Sequence, residues 1–455
     1  MVLGFGTDGV RGLANSELTP DAAMALGRAA AEVLGAPRFV VGRDTRRSGP
    51  MLEAALIAGI CSVGVDVSSL GVIPTPAVAW VAADKLVAGA MISASHNPFA
   101  DNGIKIFGTG GVKLSDDVES QIGDRMAQLL AGQVPPRPVG PNVGLATVPS
   151  SVGPRSGAHA AVAGWVDSLV DSVEIGNLES MTLVVDTANG AAVGWAPEVF
   201  RRLGVTVHTI GEQPDGLNIN KDVGSTSPGA LAAAVVARGA DAGLAFDGDA
   251  DRVIAVDETG SVIDGDRVLA VLANDYAARG LLANSTVVVT VMTNLGFHKA
   301  MEKAGISVIS TQVGDRYVLQ ALDQYGLSLG GEQSGHVICR DLSVTGDGIL
   351  AGVQFLDAAA RSGQSVSKLV DDIMVTVPQE LRNVRLAQRQ DTLVEDLADV
   401  IDEVEQQFGS DGRVLVRMSG TEPLLRVMIE HVDADVANHA CARIVDEAER
   451  RIAQG

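Results

Sequence analysis

Short runs of β-branched and aliphatic residues alternate along this chain with longer stretches whose apolar positions recur at helical spacing. The alanine-rich stretch from Pro20 to Leu34 predicts a helix, and Phe39-Val40-Val41 then reads as a short buried strand ending in Gly42-Arg43-Asp44-Thr45. The layout returns twice. RFVVGRDTR (38–46), a helix and GVDVSSLG (64–71) are echoed by TLVVDTANG (182–190), a helix and GVTVHTIG (204–211), then by TVVVTVMTNLG (286–296), a helix and GISVISTQVG (305–314). Each copy is an apolar strand, a Gly-bearing turn, an amphipathic helix and a second β-branched strand, a βαβ unit that implies parallel pairing. Three copies predict three similar α/β domains with mixed or parallel sheets, and their long spacing disfavours one large sheet. The last segment, Met374 to Gly455, lacks the repeat, mixes strand-like and helical runs, and ends in a helix from Asp435 to Ala453, so a different, smaller α+β domain is expected there.

Boundaries follow from breaks in this pattern. The segment Gln133 to Pro154, with PPRPVGP inside it, is the strongest linker signal; further breaks fall just after Val253 to Val256 and near Ser365 to Asp372. The expected domains are therefore 1–154, 155–256, 257–370 and 371–455.

Composition narrows the function class. At 455 residues and 46% hydrophobic, the chain can bury sizeable cores. No apolar run reaches the roughly 18 residues of a membrane span, and Met1 to Arg11 lacks the layout of a signal peptide, so a cytoplasmic protein with no membrane partner is expected. Cys61, Cys339 and Cys441 are scattered without metal or redox spacing, which points to reduced thiols. A net charge of −22 argues against nucleic acid, whose backbone needs clustered Lys and Arg. It leaves room for a small anion, because charges beyond about 8 Å are largely screened at physiological ionic strength.

Four loops carry candidate chemistry. In the first, the short apolar run Val87 to Ile92 delivers Ser95-His96-Asn97-Pro98 onto a proline-set bend; Ser95 there is either a turn or cap residue or a reactive hydroxyl. In the second, Asp247, Asp249 and Asp251 alternate in DGDADR between strand-like flanks, and three mutually repelling carboxylates suit a hard cation. Glu258 completes an EF-hand spacing, but Arg252 stands where that loop needs glycine and the flanks are not helical. In the third, Gly330 to His336 (GGEQSGH) sets Glu332, Ser334 and His336 in a glycine frame suited to sugar hydroxyls, although a plain turn would also fit. In the fourth, Arg417 and Arg426 flank Ser419-Gly420-Thr421, a phosphate cradle in composition; the following LLRVMIE reads as a strand, unlike a Walker A loop. No GxSxG elbow supports a serine hydrolase.

In this order, over the whole chain, the four loops resemble the signatures of the α-D-phosphohexomutase superfamily. The GTDGVRG opening, Gln333, PDGLNIN (214–220) and VGDRYV (313–318) are similar to its bacterial amino-sugar branch, whereas Met418 stands where that branch commonly has proline. The resemblance implies three similar α/β domains and a C-terminal α+β domain around a central cleft. It implies interconversion of glucosamine 6-phosphate and glucosamine 1-phosphate through a phosphoserine enzyme and glucosamine 1,6-bisphosphate, supplying amino-sugar nucleotide precursors for cell-wall synthesis. A phosphomannomutase/phosphoglucomutase would share the catalytic residues, and a non-catalytic sugar-phosphate sensor would not need them.

By the same resemblance Ser95 is the phosphorylated residue and joins Asp247, Asp249 and Asp251 around Mg²⁺. Lys105, in the DNGIK that follows SHNP, is the general acid/base, Arg11 and Arg252 neutralise the moving phosphoryl group, and His336 lies near the reaction centre. Gly331, Glu332, Gln333 and Ser334 bind the sugar, while Arg417, Ser419, Gly420, Thr421 and Arg426 hold the non-reacting phosphate. A homodimer is compatible with this branch.

Overall fold

The computed structural model describes residues 9–133, 143–147, 159–174, 176–388, 390, 392–419 and 423–454, without the side chains of 159–161 and 454. The expected boundary at 154/155 and the start of the GTDGVRG opening lie outside these residues. The chain forms two compact units: Met1–Met292 with Ile306–Ile373, and Thr293–Gly305 with Met374–Gly455.

The first unit holds three sheets, each built on one of the repeated βαβ patterns. In the first, Arg38–Arg43 pairs in parallel with Asp66–Val72 and with Ala88–Ile92, and Asp101–Phe107 and then Val10–Leu13 extend it antiparallel. In the second, Thr182–Asp186 lies parallel to both Thr206–Ile210 and Ala242–Phe246, and Val253–Asp257 turns back antiparallel beside the latter. In the third, Thr286–Thr290 lies parallel to Ser307–Thr311 and to Leu329–Gly331, with Val337–Cys339 antiparallel at the edge. Each sheet therefore has a parallel centre and an antiparallel hairpin, and three of the four loops expected to do chemistry sit in those hairpins.

Local chemistry sets the helices. Pro20–Leu34 starts with Thr19 accepting Ala22 N–H at 3.2 Å and Pro at its first turn, and it stops at Gly35 with φ +59°. It lies close against Gly49–Cys61 because glycines meet backbone: a Cβ on Gly59 would stand 2.0 Å from Met24 O. No helix among the described residues is long and apolar enough to cross a membrane.

Two of the expected boundaries fall inside elements. Val262–Ile263 pairs with Val253–Asp257, so the second sheet continues past residue 256. Position 370 falls inside the helix Val366–Ile373, which belongs to the first unit.

The second unit has a three-stranded antiparallel sheet with Leu424–His431 between Gln379–Arg385 and Gly412–Met418, and Ala434–Gln454 is its longest helix. The helix Leu295–Ala304, which occupies the crossover of the third βαβ pattern, belongs to this unit. Glu430, fully buried, accepts from Asn294 Nδ2 at 3.0 Å and Leu295 N at 2.9 Å, and Arg413 lies 2.9 Å from it.

Candidate active site

In the first unit, three residues past the buried strand Ala88–Ile92, Ser95 takes φ +50° and is itself buried. Few side chains other than Gly, Asn and Asp adopt this left-handed conformation, so its neighbours must hold it. Its Oγ donates to Asp247 Oδ2 at 2.5 Å, and His96 Nδ1 lies 3.4 Å away.

Asp247, Asp249 and Asp251 occupy the turn between Ala242–Phe246 and Val253–Asp257, and each offers a ligand oxygen within 4.8 Å of the others. All are buried. Ala250, at φ +59°, keeps the turn tight enough for alternate carboxylates to converge. Thr75 braces the loop, its Oγ1 donating to Asp249 Oδ2 at 2.6 Å and its N to Asp249 O at 2.9 Å.

Lys105, on Asp101–Phe107, donates to Asp249 Oδ2 at 3.2 Å and Asp251 Oδ2 at 3.0 Å. Arg252 Nε and His336 Nδ1 each lie 3.8 Å from Asp251 Oδ1, and His336 Nε2 is 3.5 Å from Asp315 Oδ2. Asp315 in turn pairs with Lys113, and Arg316 beside it pairs with Asp116 and Glu119, so VGDRYV ties the third sheet's helix to the first domain. Arg11 pairs in register with Gly103 on the same strand as Lys105.

Charge sets Asp247 apart from Asp251. Burial, then Asp251 and Asp249, push Asp247 well above the usual carboxylate range. Burial also acts upward on Asp251, but Lys105, His336 and Arg252 outweigh it and hold it well below. Burial followed by Arg252 and Arg11 lowers His96 to about 4, so its imidazole is neutral near pH 7 and both arginines act at Ser95's neighbour. Asp249 Oδ1 is buried without a hydrogen-bond partner in a set of converging hard oxygens, a donor set that fits a divalent cation.

The hairpin tip between Leu329–Gly331 and Val337–Cys339 contains Glu332 to His336. Glu332 N donates to His336 O at 3.0 Å, and Glu332 Oε1 accepts Gly314 N at 3.0 Å. Ser334 is exposed at the tip, whereas Gln333 Nε2 donates to Asp264 Oδ2 at 3.3 Å and so braces a helix start. Val253 N donates to Gly335 O at 3.0 Å, which fastens the tip to the acidic loop.

The first unit thus brings together Arg11, Ser95, Lys105, the three aspartates, Arg252, Glu332 and His336. In the second unit, Arg417 and Arg426 face each other across paired strands, and Ser419 N donates to Leu424 O at 2.8 Å. Burial and the neighbouring Arg426 lower Arg417 from the usual arginine range, as two adjacent cations that suit an anion would. Gly420 and Thr421 lie outside the described residues. Sequence reasoning passed over Asp44, Arg46, Thr75 and Asn220; Asp44 and Arg46 lay in the repeated RFVVGRDTR stretch and Asn220 in PDGLNIN, but none was marked as a site residue.

Models of the phosphoglucomutase/phosphomannomutase family match in chain order: alpha/beta/alpha domain I over residues 2–131, domain II over 163–260, domain III over 264–377 and the C-terminal domain over 381–447. The phosphoglucosamine mutase of Rhodococcus jostii is 50% identical over 443 residues, covering 95% of this chain and 96% of the relative. That of Desulforudis audaxviator is 50% identical over 432 residues, covering 94% and 93%. Among solved structures, a phosphoglucomutase/phosphomannomutase family protein of Burkholderia thailandensis has a TM-score of 0.79 at 24% identity, covering 98% of this chain and 96% of that one. Aspergillus fumigatus N-acetylphosphoglucosamine mutase, in complex with GlcNAc-6P and magnesium, has a TM-score of 0.67 at 17% identity, covering 99% and 96%.

Proposed function

This chain belongs to the phosphoglucomutase/phosphomannomutase family, and we propose that it moves a phosphoryl group between Ser95 and the two ends of a glucosamine phosphate. It is an isomerase that interconverts glucosamine 6-phosphate and glucosamine 1-phosphate. The observation that carries the role of Ser95 is its Oγ at 2.5 Å from Asp247 inside a buried carboxylate triad. A free hydroxyl has no need of three acids, whereas a phosphoserine carrying about −1.5 to −2 charge needs a cation shared with them.

Phospho-Ser95 gives its phosphoryl group to the sugar O1. The Ser95 Oγ–P bond breaks as the O1–P bond forms, and the O1 proton is traded, through a base, for the one that Ser95 Oγ takes up. The resulting 1,6-bisphosphate turns round; the O6–P bond then breaks as the Ser95 Oγ–P bond re-forms, and the Ser95 proton passes by the same base to O6. Lys105 Nζ, held between Asp249 and Asp251, exchanges that proton, and Arg11 and Arg252 face the charge spread over the phosphoryl oxygens. Asp247, Asp249, Asp251 and a phosphoserine oxygen would hold Mg²⁺, which when bound neutralises charge at the transferring group. Glu332 and Ser334 grip sugar hydroxyls while Gly331 and Gln333 shape that loop, and His336 buttresses Asp251. Arg417, Ser419, Gly420, Thr421 and Arg426 are assigned to the non-reacting phosphate. The product feeds amino-sugar nucleotide precursors for the cell wall, in the cytoplasm.

A coupled assay comparing glucosamine 6-phosphate with glucose and mannose phosphates tests the sugar, and intact-mass measurement with Ser95→Ala tests the carrier. Mutase turnover on glucosamine phosphate, lost by orders of magnitude in Ser95→Ala, is expected. Full activity of that variant sinks the mechanism, and preference for mannose or glucose phosphate moves the enzyme to a sister branch.

A further inference from the structure

Behind Ser95 lies a set of buried polar groups that the phosphoryl chemistry does not use. The Arg46 side chain is fully buried, and all three of its nitrogens find oxygens. Nη2 donates to Ser95 O at 2.9 Å and Asn97 O at 2.8 Å; Nη1 donates to Asp101 O at 3.0 Å and to Pro98 O; Nε donates to Asp44 Oδ2 at 2.8 Å. A guanidinium carries five donors in a fixed fork, so four carbonyls of one loop are gathered on one rigid group. Asp44 continues the network. Its Oδ2 accepts Ser93 Oγ at 2.7 Å, and Ser93 Oγ accepts Ser95 N at 2.9 Å, so both peptide groups of Ser95 are tied to the Asp44–Arg46 pair.

From the second domain, Asn220 reaches the same carbonyls, its Nδ2 donating to Ser95 O at 2.9 Å and Asn97 O at 3.1 Å. The segment before it is anchored to the first domain as well, with Arg47 N donating to Gly216 O at 2.9 Å.

Building on the role given to Ser95 above, we propose that Arg46 and Asn220 are positioning residues, a two-sided clamp that fixes the backbone of the Ser95 loop so that its hydroxyl faces Asp247. Neither touches substrate. Packing alone does not account for the arrangement, because a buried Asp–Arg pair is commonly no more stabilising than apolar residues of similar volume. What the fork supplies is geometry: it holds the carbonyls on either side of a left-handed serine, and Asn220 ties that conformation to the domain that carries the aspartates. The clamp therefore sets the register between the group that carries phosphate and the group that holds the metal.

The test uses full-length protein with Arg46→Lys, Asn220→Ala and Ser95→Ala, measuring kcat, KM for glucosamine 6-phosphate and the melting temperature. Lysine keeps the charge beside Asp44 but cannot span four carbonyls. Asn220 is half-buried at φ +58°, so Asn220→Gly, which adopts that backbone without strain, is run beside Asn220→Ala to separate loss of the amide from backbone strain. A lost clamp should lower kcat by about 100-fold in Arg46→Lys and about tenfold in Asn220→Ala with KM within twofold, as expected of roughly ångström misplacement. Asn220→Ala with parental kcat, or with KM raised and kcat unchanged, overturns the clamp. Inactive Ser95→Ala beside such an Asn220→Ala refutes the clamp alone, whereas active Ser95→Ala refutes the phosphoserine reading beneath it.

Discussion

Gly248 offers a sharp test of how closely the acidic loop and the serine loop are fitted. A Cβ there would stand 2.4 Å from Ser95 O, 2.9 Å from Ile219 Cδ1 and 3.0 Å from Asn220 Nδ2, whereas ordinary contact begins at 3.4 Å. The nearest atom is backbone in a loop held on both sides, so it cannot swing away as a side chain would. Gly248→Ala must therefore part the two loops by about 1 Å, lengthening the 2.5 Å approach of Ser95 Oγ to Asp247. Misplacement on this scale costs about 100-fold in rate, or about 2.7 kcal/mol of barrier. A coupled mutase assay should show this fall in kcat with little change in KM. Gly229→Ala is the matched control: nothing lies within 4 Å of its added Cβ, and it sits at a helix start. The control should keep parental activity. A Gly248→Ala enzyme with more than about a third of parental kcat would refute the close fit of the two loops.

Three further outcomes follow from buried groups. Removing divalent cations with a chelator should abolish turnover, and Mg²⁺ should restore it; activity indifferent to chelator would contradict the role of the aspartates. Burial pushes the Cys339 thiol up to about 12 and also raises Cys61 and Cys441, so a thiol reagent at pH 8 should react slowly with native protein and with all three after denaturation. Burial raises Asp186 to about 6 against its accepted N–H groups of Gly224 and Ala188, so the folded state takes up this proton more readily than the unfolded chain. The stability it contributes is present below about pH 4 and is lost as pH rises through 6, roughly 3 kcal/mol in all. Chemical denaturation of parent and Asp186→Asn should show the parent losing stability relative to the variant over that window; parallel pH profiles would dismiss the shift.

The repeated βαβ units were legible because each announces itself with a β-branched run, a glycine turn and a second run, as Arg38–Arg43 and Asp66–Val72 do. The acidic loop was legible because carboxylates at three alternate positions repel one another unless a cation sits among them. Arg46 was not. A buried arginine looks like any other until its chain path shows which carbonyls it meets, and those of Ser95 and Asp101 lie 49 and 55 residues away. Val262–Ile263 escaped because two residues are too few to show alternation. The bond from the Gln333 amide nitrogen to Asp264 was likewise hidden, because only packing decides which way an amide in a glycine-framed loop turns.

The membership of Leu295–Ala304 in the C-terminal unit bears on how such enzymes can be recombined. The chain enters that unit, leaves it and enters again, at 292/293, 305/306 and 373/374. A chimera that exchanges everything after residue 373 keeps the host's Asn294 and Leu295 but replaces Glu430, the buried acid they bind. A mismatch there strands a desolvated carboxylate or two donors, each a loss of about 1–3 kcal/mol. The inheritable module is therefore discontinuous, and a graft that carries 293–305 along with 374–455 should be more stable than a single crossover at 373 wherever the two parents differ at these positions.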